Sequence, residues 1–218
     1  MDKTARFDKS KVDYTLYLCT DRQLMSSSTI EESVTQALDG GCSVVQLREK
    51  DTSSRDFLAL AKRVKLITEH YGVPLIINDR FDIAMLAGAD GVHLGQSDLP
   101  CDEVRRFAGE DLIIGVSAAR VDEAVKAQAD GADYLGVGAM YATSTKANTR
   151  PVSQELLREI RGSVEIPIVA IGGIKADRLA DFEGSGINGF AVVSAVVAQA
   201  DVRLAAEELR RKILACGS

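Results

Sequence analysis

The sequence predicts an α/β protein that folds as a single (β/α)8 TIM barrel. Eight apolar, β-branched runs recur along the 218 residues, and each is followed by a segment with helical spacing of its apolar residues. Repeated strand–helix units predict a parallel sheet, and eight of them fit a closed barrel better than an open doubly wound sheet, the alternative. The stretches GADGVHL, GADYLGV and SGINGFAVV reuse one turn chemistry, which also favours a ring of similar units.

Strands are predicted near residues 14–20, 43–48, 73–78, 90–94, 111–116, 133–138, 166–171 and 188–194. The helices between them are marked by apolar residues that share one face, as after the second strand, where the pattern comprises Phe57, Leu60, Ala61, Val64 and Ile67. We divide the chain into a charged lead segment, residues 1–13, and a catalytic barrel, residues 14–218.

Composition narrows the classes of function. The net charge of −6 and the pI near 5.1 argue against a nucleic-acid surface, and no apolar run reaches membrane-spanning length. The first thirteen residues lack the apolar centre of a signal peptide, so we expect a cytoplasmic protein with small-molecule partners, and a homo-oligomer is compatible with this. The cysteines form no C-x-x-C pair, which favours reduced thiols at Cys19, Cys42, Cys101 and Cys216.

The stretch ADYLGVGAMYATSTK, residues 132–146, has the pattern of a strand that runs into a binding loop. Gly136 and Gly138 leave room for a ligand or another backbone. The loop then offers three hydroxyls beside one ammonium group, a combination suited to phosphate oxygens, from Thr143, Ser144, Thr145 and Lys146. A solvated loop after an ordinary strand is the alternative.

The second strand ends in SVVQLREK, where period-two alternation places Gln46, Arg48 and Lys50 on one face. Val45 and Leu47 then pack outward. Buried cations require acidic neighbours or an anionic ligand. The competing interpretation is a salt-bridged end of the strand that uses Glu49 and Asp51.

The third and fourth strands end in carboxylates. Asn78 and Asp79 follow the run PLII, and Asp98 lies in the loop after GVHL. Two carboxylates from adjacent loops indicate a Mg²⁺ site completed by phosphate oxygens. Either aspartate is alternatively a helix N-cap. His93 is read as a satisfied core or supporting histidine ahead of a catalytic one.

The remaining strand ends favour an anion site. Ser117 ends the fifth strand and is either a helix cap or a ligand contact. Gly172 and Gly173 end the seventh strand, and Ser194 follows the eighth and is expected to open the last helix. In many barrels, the loops after the seventh and eighth strands bind phosphate through backbone amides. We therefore predict a phosphate-binding site here, which we call the phosphate cup.

Taken together, the stretches VVQLREK, IINDR, GADGVHLGQSDL, IGVSA, DYLGVG, TSTK, IVAIGGI and AVVSA closely resemble the thiamin phosphate synthase (thiamin-phosphate pyrophosphorylase) family, from about Tyr14 to Val197. The resemblance implies a (β/α)8 barrel that joins 4-amino-2-methyl-5-hydroxymethylpyrimidine diphosphate to a thiazole phosphate and releases pyrophosphate with Mg²⁺. One departure is that alanine stands at 139 and 142, where the family usually has proline.

The resemblance also implies roles for individual residues. The pyrimidine diphosphate is expected to contact Gln46, Arg48, Lys50, Asn78, Ser117 and Lys146. Asp79 and Asp98 are the implied Mg²⁺ ligands. The thiazole phosphate is expected between Thr143 and Thr145 and a cup formed by Gly173, Val193 and Ser194.

The residues contain no recognisable nucleophile paired with a histidine, so the chemistry is expected to reside mainly in the substrates. The protein then contributes positioning and electrostatic stabilisation of departing pyrophosphate. Two rival functions are a thiazole tautomerase and a catalytically silent phosphate-binding barrel. The first would need a histidine just after Ser117, where this chain has Ala118 and Ala119.

Overall fold

Eight parallel strands close into a barrel in which every strand lies beside its neighbours in sequence. The structure, a computed structural model, describes residues 7–142 and 151–216. The strands are β1 Leu16–Cys19, β2 Val44–Leu47, β3 Leu75–Asn78, β4 Gly91–Leu94, β5 Ile113–Ala118, β6 Tyr134–Val137, β7 Ile168–Ile171 and β8 Gly189–Val192. Because β1 pairs with β8, the predicted barrel is confirmed and the open sheet is wrong.

Helices surround the barrel. They are α1 Ile30–Asp39, α2 Ser54–Tyr71, α3 Phe81–Ala87, α4 Cys101–Ala108, α5 Val121–Ala129, α6 Gln154–Ser163, α7 Ser194–Val197 and α8 Val202–Ala215. Two 3₁₀ helices, Lys9–Lys11 and Ala176–Phe182, complete the set, so a 3₁₀ helix follows β7 where we expected an α-helix. Ser194 opens the short α7, and the expectation that it opens the last helix is wrong. In the described parts of the chain, no helix is long and apolar enough to cross a membrane.

The second helix shows why these segments fold as they do. The Ser53 side chain accepts a hydrogen bond from the N–H of Asp56 at the start of α2, which satisfies a donor that the helix itself cannot. Gly72 ends the helix in the left-handed conformation that glycine adopts without steric cost. Between these ends, the predicted apolar face is buried, with Ile67 at its edge.

Side chains alternate between the two faces of each strand. Val45 and Leu47 of β2 point outward into the core beneath the helices, as predicted, and Gln46 points into the barrel. The inward-facing apolar side chains form a separate cluster of Tyr14, Tyr17, Cys19, Val44, Ile76, Ile113, Tyr134, Val169 and Ala191. The barrel interior is therefore a packed core over most of its height.

Pairs of reciprocal hydrogen bonds, which we call the strand clamps, join each odd-numbered strand to the next even-numbered one. The residue before the even strand donates its N–H to a carbonyl of the odd strand, at 2.7–2.9 Å, and its side-chain oxygen accepts the N–H of the same residue, at 2.8–3.2 Å. The four clamps are Ser43 with Leu16, Asp90 with Leu75, Asp133 with Ile114, and Asn188 with Ile168. Three of them explain the turn chemistry repeated in GADGV, GADYL and GINGF.

Residues 7–13 of the predicted lead segment lie against the barrel. Phe7 donates its N–H to Asp90 at 3.2 Å, and Lys9 pairs with Asp133 at 2.8 Å. Phe7 and Val12 also pack on the interior cluster. This segment thus contacts two of the clamp residues, and the boundary at residue 14 stays a prediction.

Asp90 is the clamp residue whose loss we expect to cost most. Its carboxylate is almost fully buried and accepts hydrogen bonds from the N–H of Leu75 and from the ammonium of Lys65, both within 2.9 Å. Asp90→Ala leaves that ammonium without its buried partner. We therefore expect the free energy of unfolding, measured by chemical denaturation, to fall by about 3–5 kcal/mol. The matched change Glu207→Ala breaks an exposed ion pair with Arg203 and should cost less than about 1 kcal/mol. Equal losses would contradict the clamp's role.

Candidate active site

A cavity of about 170 Å³ opens at the carboxyl-terminal ends of the strands. Its polar walls come from β2, β3 and β5, and its backbone walls come from β7 and β8. The predicted site residues that line it are Gln46, Arg48, Asn78, Ser117, Gly173, Val193 and Ser194. The barrel therefore brings together side chains that lie up to 148 positions apart in the chain, counting from Gln46 to Ser194 (194 − 46).

The predicted cations of β2 diverge at the mouth. The strand ends at Leu47, so alternation no longer governs the residues beyond it. Arg48 lines the cavity and lies 3.6 Å from the carboxylate of Asp21. Lys50 lies outside the cavity wall and pairs with Asp79, so the prediction that it points toward the barrel axis is wrong. The alternative interpretation had Glu49 and Asp51 as the salt-bridge partners at this strand end. Glu49 pairs with Arg22 at 3.0 Å, and the partners of Arg48 and Lys50 are Asp21 and Asp79.

Asp79 and Asp98 come into contact at the rim, as two loops from adjacent strands can. Burial alone would raise the pKa of Asp79, but the Lys50 ammonium and the hydrogen bond with Asp98 together lower that pKa below the usual value. Burial and the adjacent Asp79 raise the pKa of Asp98. Among residues 7–142 and 151–216, no group of three or more His, Cys, Asp or Glu side chains could hold a metal ion. A cation at this pair would need other ligands.

Neither carboxylate is a helix cap. The N-cap residue of α3 is Arg80 and that of α4 is Pro100, and neither position has a side-chain capping bond. Asp98 instead accepts the N–H of Gly95 at 2.7 Å, which closes its own loop. Asp79 has φ of 60°, a left-handed conformation that aspartate tolerates better than most residues. Its N–H donates to the carbonyl of His93 at 2.8 Å, which ties the two strand ends together.

Ser117 lies within β5 and is not a cap, because the N-cap residue of α5 is Arg120. Its hydroxyl lies 2.9 Å from Nε2 of His93, whose Nδ1 lies 3.0 Å from the hydroxyl of Tyr134. His93 is thus hydrogen-bonded inside the barrel. Burial raises the pKa of the Cys19 thiol in the same wall to about 12, so this thiol stays protonated and unreactive at neutral pH.

Sequence reasoning missed two residues that shape the cavity floor, Tyr17 and Tyr134. Their hydroxyls lie 2.7 Å apart, and both side chains are buried. We read Tyr134 as strand material only. The available signal was alternation, since Tyr134 and Gly136 share the inward face of β6.

The predicted phosphate cup is bounded by backbone. Gly173 has φ of 65°, and a Cβ there would lie 2.8 Å from that of Tyr141, so the position is restricted to glycine. Arg178 donates to the Gly173 carbonyl at 2.9 Å and lies over the Tyr141 ring, 4.2 Å from its centre. Ser194, across the cavity wall, begins α7, so its N–H has no acceptor within that helix.

The hydroxyls and the lysine predicted after β6, namely Thr143, Ser144, Thr145 and Lys146, lie outside the described residues. The chain up to them is well anchored. Tyr141 donates its N–H to the Gly172 carbonyl at 3.0 Å and its hydroxyl to Asp181. Tyr141 and Ala142, the last described residues before position 143, therefore lie beside the Gly172–Gly173 turn.

A family model described as thiamine monophosphate synthase matches residues 16–196, which span all eight strands. The chain belongs to this family. A thiamine-phosphate synthase of Ruminiclostridium cellulolyticum is 58% identical over 201 residues, which cover 92% of this chain and 96% of the relative. One from Clostridium beijerinckii is 55% identical over 206 residues, 94% of this chain and 99% of the relative.

Solved structures of the thiamine monophosphate synthase family agree. Thiamine phosphate pyrophosphorylase from Pyrococcus furiosus superposes with a TM-score of 0.87 at 38% identity, covering 95% of this chain and 98% of that one. The predicted family, the barrel and the predicted thiamin phosphate synthase activity, a transferase activity of thiamine biosynthesis, are therefore confirmed. An N-acetylmannosamine-6-phosphate 2-epimerase from Clostridium perfringens, with a TM-score of 0.66 at 13% identity, shares the fold alone.

Gly115 is the position in the cavity floor at which we expect a larger side chain to be least tolerated. A Cβ there would lie 2.1 Å from Cζ of Tyr134. Gly115→Ala should therefore displace that ring and destabilise the protein by about 1–3 kcal/mol in thermal or chemical unfolding. Gly162→Ala on α6 is the matched control, because a Cβ there meets nothing within 4 Å and alanine favours the helix by up to about 1 kcal/mol. A stable Gly115→Ala protein would contradict the packing described.

Proposed function

We propose that the protein couples 4-amino-2-methyl-5-hydroxymethylpyrimidine diphosphate to 4-methyl-5-(2-phosphoethyl)thiazole, or its carboxylate, giving thiamin phosphate and pyrophosphate. The observation that carries this proposal is the meeting of opposite charges at one cavity mouth. Arg48 lines the cavity, and at its rim Lys50 pairs with Asp79, which contacts Asp98. A diphosphate accompanied by a divalent cation matches that mixture of charges.

The diphosphate end of the first substrate would occupy the β2, β3 and β5 side of the cavity. Arg48 offers a guanidinium that can bind two phosphate oxygens, and Asn78 and Ser117 offer neutral polar groups beside it. The full set that we propose for this substrate is Gln46, Arg48, Lys50, Asn78, Ser117 and Lys146. Of these, we assign charge stabilisation or orientation during the reaction to Arg48, Lys50, Asn78, Ser117 and Lys146.

Mg²⁺ fits the carboxylate pair by the chemistry of its donors. Burial and the neighbouring Asp79 raise the pKa of Asp98, and a divalent cation held by this pair would favour the ionised form of both carboxyl groups. Mg²⁺ in proteins often uses one or two carboxylates and completes its shell with water and substrate phosphate. Asp79 and Asp98 would hold it. When bound, it would neutralise charge on the phosphate oxygens of the leaving group.

The thiazole phosphate would lie on the opposite side, against β7 and β8. The Gly172–Gly173 turn and the start of α7 present backbone to the cavity there. We propose that the phosphate is bound by Gly173, Val193 and Ser194, with the hydroxyls of Thr143, Ser144 and Thr145 beside it. Anchoring the phosphate at this wall would direct the thiazole nitrogen toward the pyrimidine.

We infer a dissociative reaction, because the described residues of the cavity wall offer no activated nucleophile. The Cys19 thiol is protonated, and Ser117 bonds to His93, which Tyr134 holds in turn. Arg48, Lys50 and Lys146 would stabilise the charge that grows on departing pyrophosphate. The pyrimidine amino group would stabilise the remaining cation, which the thiazole nitrogen captures.

Two rival functions fit less well. A tautomerase would need an acid–base histidine after Ser117, where Ala118 and Ala119 stand. A silent phosphate-binding barrel would not need carboxylates and cations at the same mouth. As a member of the thiamine monophosphate synthase family, the protein acts on small-molecule substrates of thiamine biosynthesis. Cytoplasmic location, the absence of nucleic-acid and membrane partners, and assembly into a homo-oligomer stay predictions.

Replacing either aspartate should weaken the response to Mg²⁺. We use Asp79→Asn and Asp98→Asn, because asparagine tolerates the left-handed backbone at 79. Each variant should need a higher Mg²⁺ concentration for half-maximal turnover, and Mn²⁺ binding by calorimetry should weaken in parallel. Asp82→Asn, which alters an exposed pair with Arg80 on α3, serves as the control. An unchanged Mg²⁺ response in both site variants would refute the metal assignment.

Arg48→Ala should lower turnover by about 10²-fold, or roughly 3 kcal/mol, because it removes charge stabilisation from the leaving group. The Michaelis constant for the diphosphate should also rise. Arg106→Ala is the matched control, since its guanidinium pairs with Glu103 on the exposed surface of α4 and loses at most about 1 kcal/mol of interaction. Equal, small effects from both changes would favour a purely structural salt bridge at Arg48.

The activity itself is tested by incubating the purified protein with thiazole phosphate and Mg²⁺, with and without the pyrimidine diphosphate. Thiamin phosphate and pyrophosphate should form when both substrates and the metal are present. Isomerisation of the thiazole carboxylate phosphate without metal or diphosphate would identify a tautomerase instead. Binding of either substrate without turnover would identify a silent barrel.

A further inference from the structure

A chain of hydrogen bonds crosses the barrel interior and ends at the cavity. It begins at Nε2 of Gln46, which lies 2.9 Å from the Tyr17 hydroxyl. It continues over 2.7 Å to the Tyr134 hydroxyl and over 3.0 Å to Nδ1 of His93. The last step, 2.9 Å, joins Nε2 of His93 to the Ser117 hydroxyl. The chain therefore links two residues that we propose as substrate contacts.

The direction of the chain follows from counting hydrogens. Nε2 of Gln46 can only donate, so the Tyr17 oxygen accepts. Within the described residues, the Tyr17 hydroxyl contacts Gln46 and Tyr134, which leaves the Tyr134 oxygen as its acceptor. The Tyr134 hydrogen then goes to Nδ1 of His93, and the imidazole carries its own hydrogen on Nε2, where it donates to Ser117. The hydroxyl hydrogen of Ser117 is left for the cavity.

We propose that this chain is a positioning device, which holds His93 in its Nε2–H tautomer and makes Ser117 a hydrogen-bond donor toward the substrate. Tyr17, Tyr134 and His93 are its positioning residues, and they act through Ser117 without touching substrate. The part that concerns substrate rests on the proposed function, in which Ser117 contacts the diphosphate substrate. A committed donor suits an anionic phosphate oxygen, whereas a serine that gives its hydrogen to histidine would face that oxygen with lone pairs.

The residues around the hydrogen-bond chain hold it in one arrangement. Both tyrosines are 1% exposed, and burial raises the pKa of each phenol well above its usual value, so each keeps its hydrogen. Two glycines make room for the rings. A Cβ at Gly115 would lie 2.1 Å from Tyr134, and one at Gly136 would lie 2.9 Å from Cε1 of His93. Apolar side chains could fill the same space and would need no hydrogen-bond partners. Packing alone therefore does not require this hydrogen-bond chain.

The tautomer is measured directly by nitrogen-15 NMR of the histidine rings in the full chain without ligands. The sequence has two histidines, and His70→Gln leaves His93 as the single signal. We expect Nε2–H at neutral pH. A dominant Nδ1–H tautomer, or an imidazolium, would overturn the proposal. This measurement needs no turnover, so it stands or falls independently of the proposed function.

Gln46→Glu tests the direction of the chain. A carboxylate at this position can only accept, so the Tyr17 hydrogen should turn toward it and each later bond should reverse. His93 should then change to Nδ1–H. An unchanged Nε2–H tautomer in the folded variant would contradict control of His93 through this chain. Tyr134→Phe is the second variant, in case Gln46→Glu does not fold, and it should abolish the strong preference for one tautomer.

The effect on catalysis is measured with Tyr134→Phe and with Tyr14→Phe as the matched control. Tyr14 packs on Tyr134, with ring centres 5.0 Å apart, but its hydroxyl is not part of the chain. Tyr134→Phe should lower kcat/KM for the diphosphate substrate about tenfold, the effect of weakening one hydrogen bond to a charged group. The Michaelis constant for the thiazole phosphate should stay within about twofold, and Tyr14→Phe should leave both unchanged.

A double-mutant cycle separates positioning from general loosening of the core. Because the chain acts through Ser117, Tyr134→Phe should have less than about a twofold further effect once Ser117→Ala is present. A full tenfold effect in that background would show that Tyr134 acts by another route, which would overturn the proposal.

Discussion

The closure of β1 on β8 is the constraint on which the rest of the structure depends. Closure turns one face of every strand into a shared interior of fixed volume, and that volume must be filled. Large rings fill the lower part, where the ring centre of Tyr134 lies 5.0 Å from that of Tyr14 and 5.8 Å from that of Tyr17. Towards the carboxyl ends, glycine, serine and asparagine leave the space that becomes the site. The cavity is thus the unfilled end of the same core.

The site also depends on balanced charge. The molecule carries a net charge of −6, yet the Arg48 guanidinium lines the cavity and the Lys50 ammonium lies at its rim. In the described residues, Arg48 faces Asp21 and Lys50 faces Asp79, so these cations are paired before any ligand arrives. An anionic ligand would replace these carboxylates as the partner of cations that the protein already holds in place. This arrangement reduces the cost of burying the cations and keeps them oriented.

Much of this could be predicted from the sequence, because alternation and turn residues act locally. The eight strands follow from apolar, β-branched runs, and the outward packing of Val45 and the cavity position of Gln46 follow from a period of two. Lys50 was misplaced because β2 ends before it, and a strand's end is set by its neighbours. The bond between Tyr17 and Tyr134 was missed because 117 residues separate them. Only the closed barrel brings these rings together.

The strand clamps fix how far each strand extends toward the catalytic end relative to its neighbour. Each fixes the offset of two adjacent strands at their amino-terminal ends, and a slip of one residue would shift a strand by about 3.3 Å and turn its side chains to the other face. The clamp at Asp90 sets β3 against β4, whose far ends carry Asp79 and Asp98. The clamp at Asn188 sets β7 against β8, and Gly173 and Ser194 each lie two residues beyond the far end of these strands. The alignment of both halves of the site is therefore determined at the opposite end of the barrel.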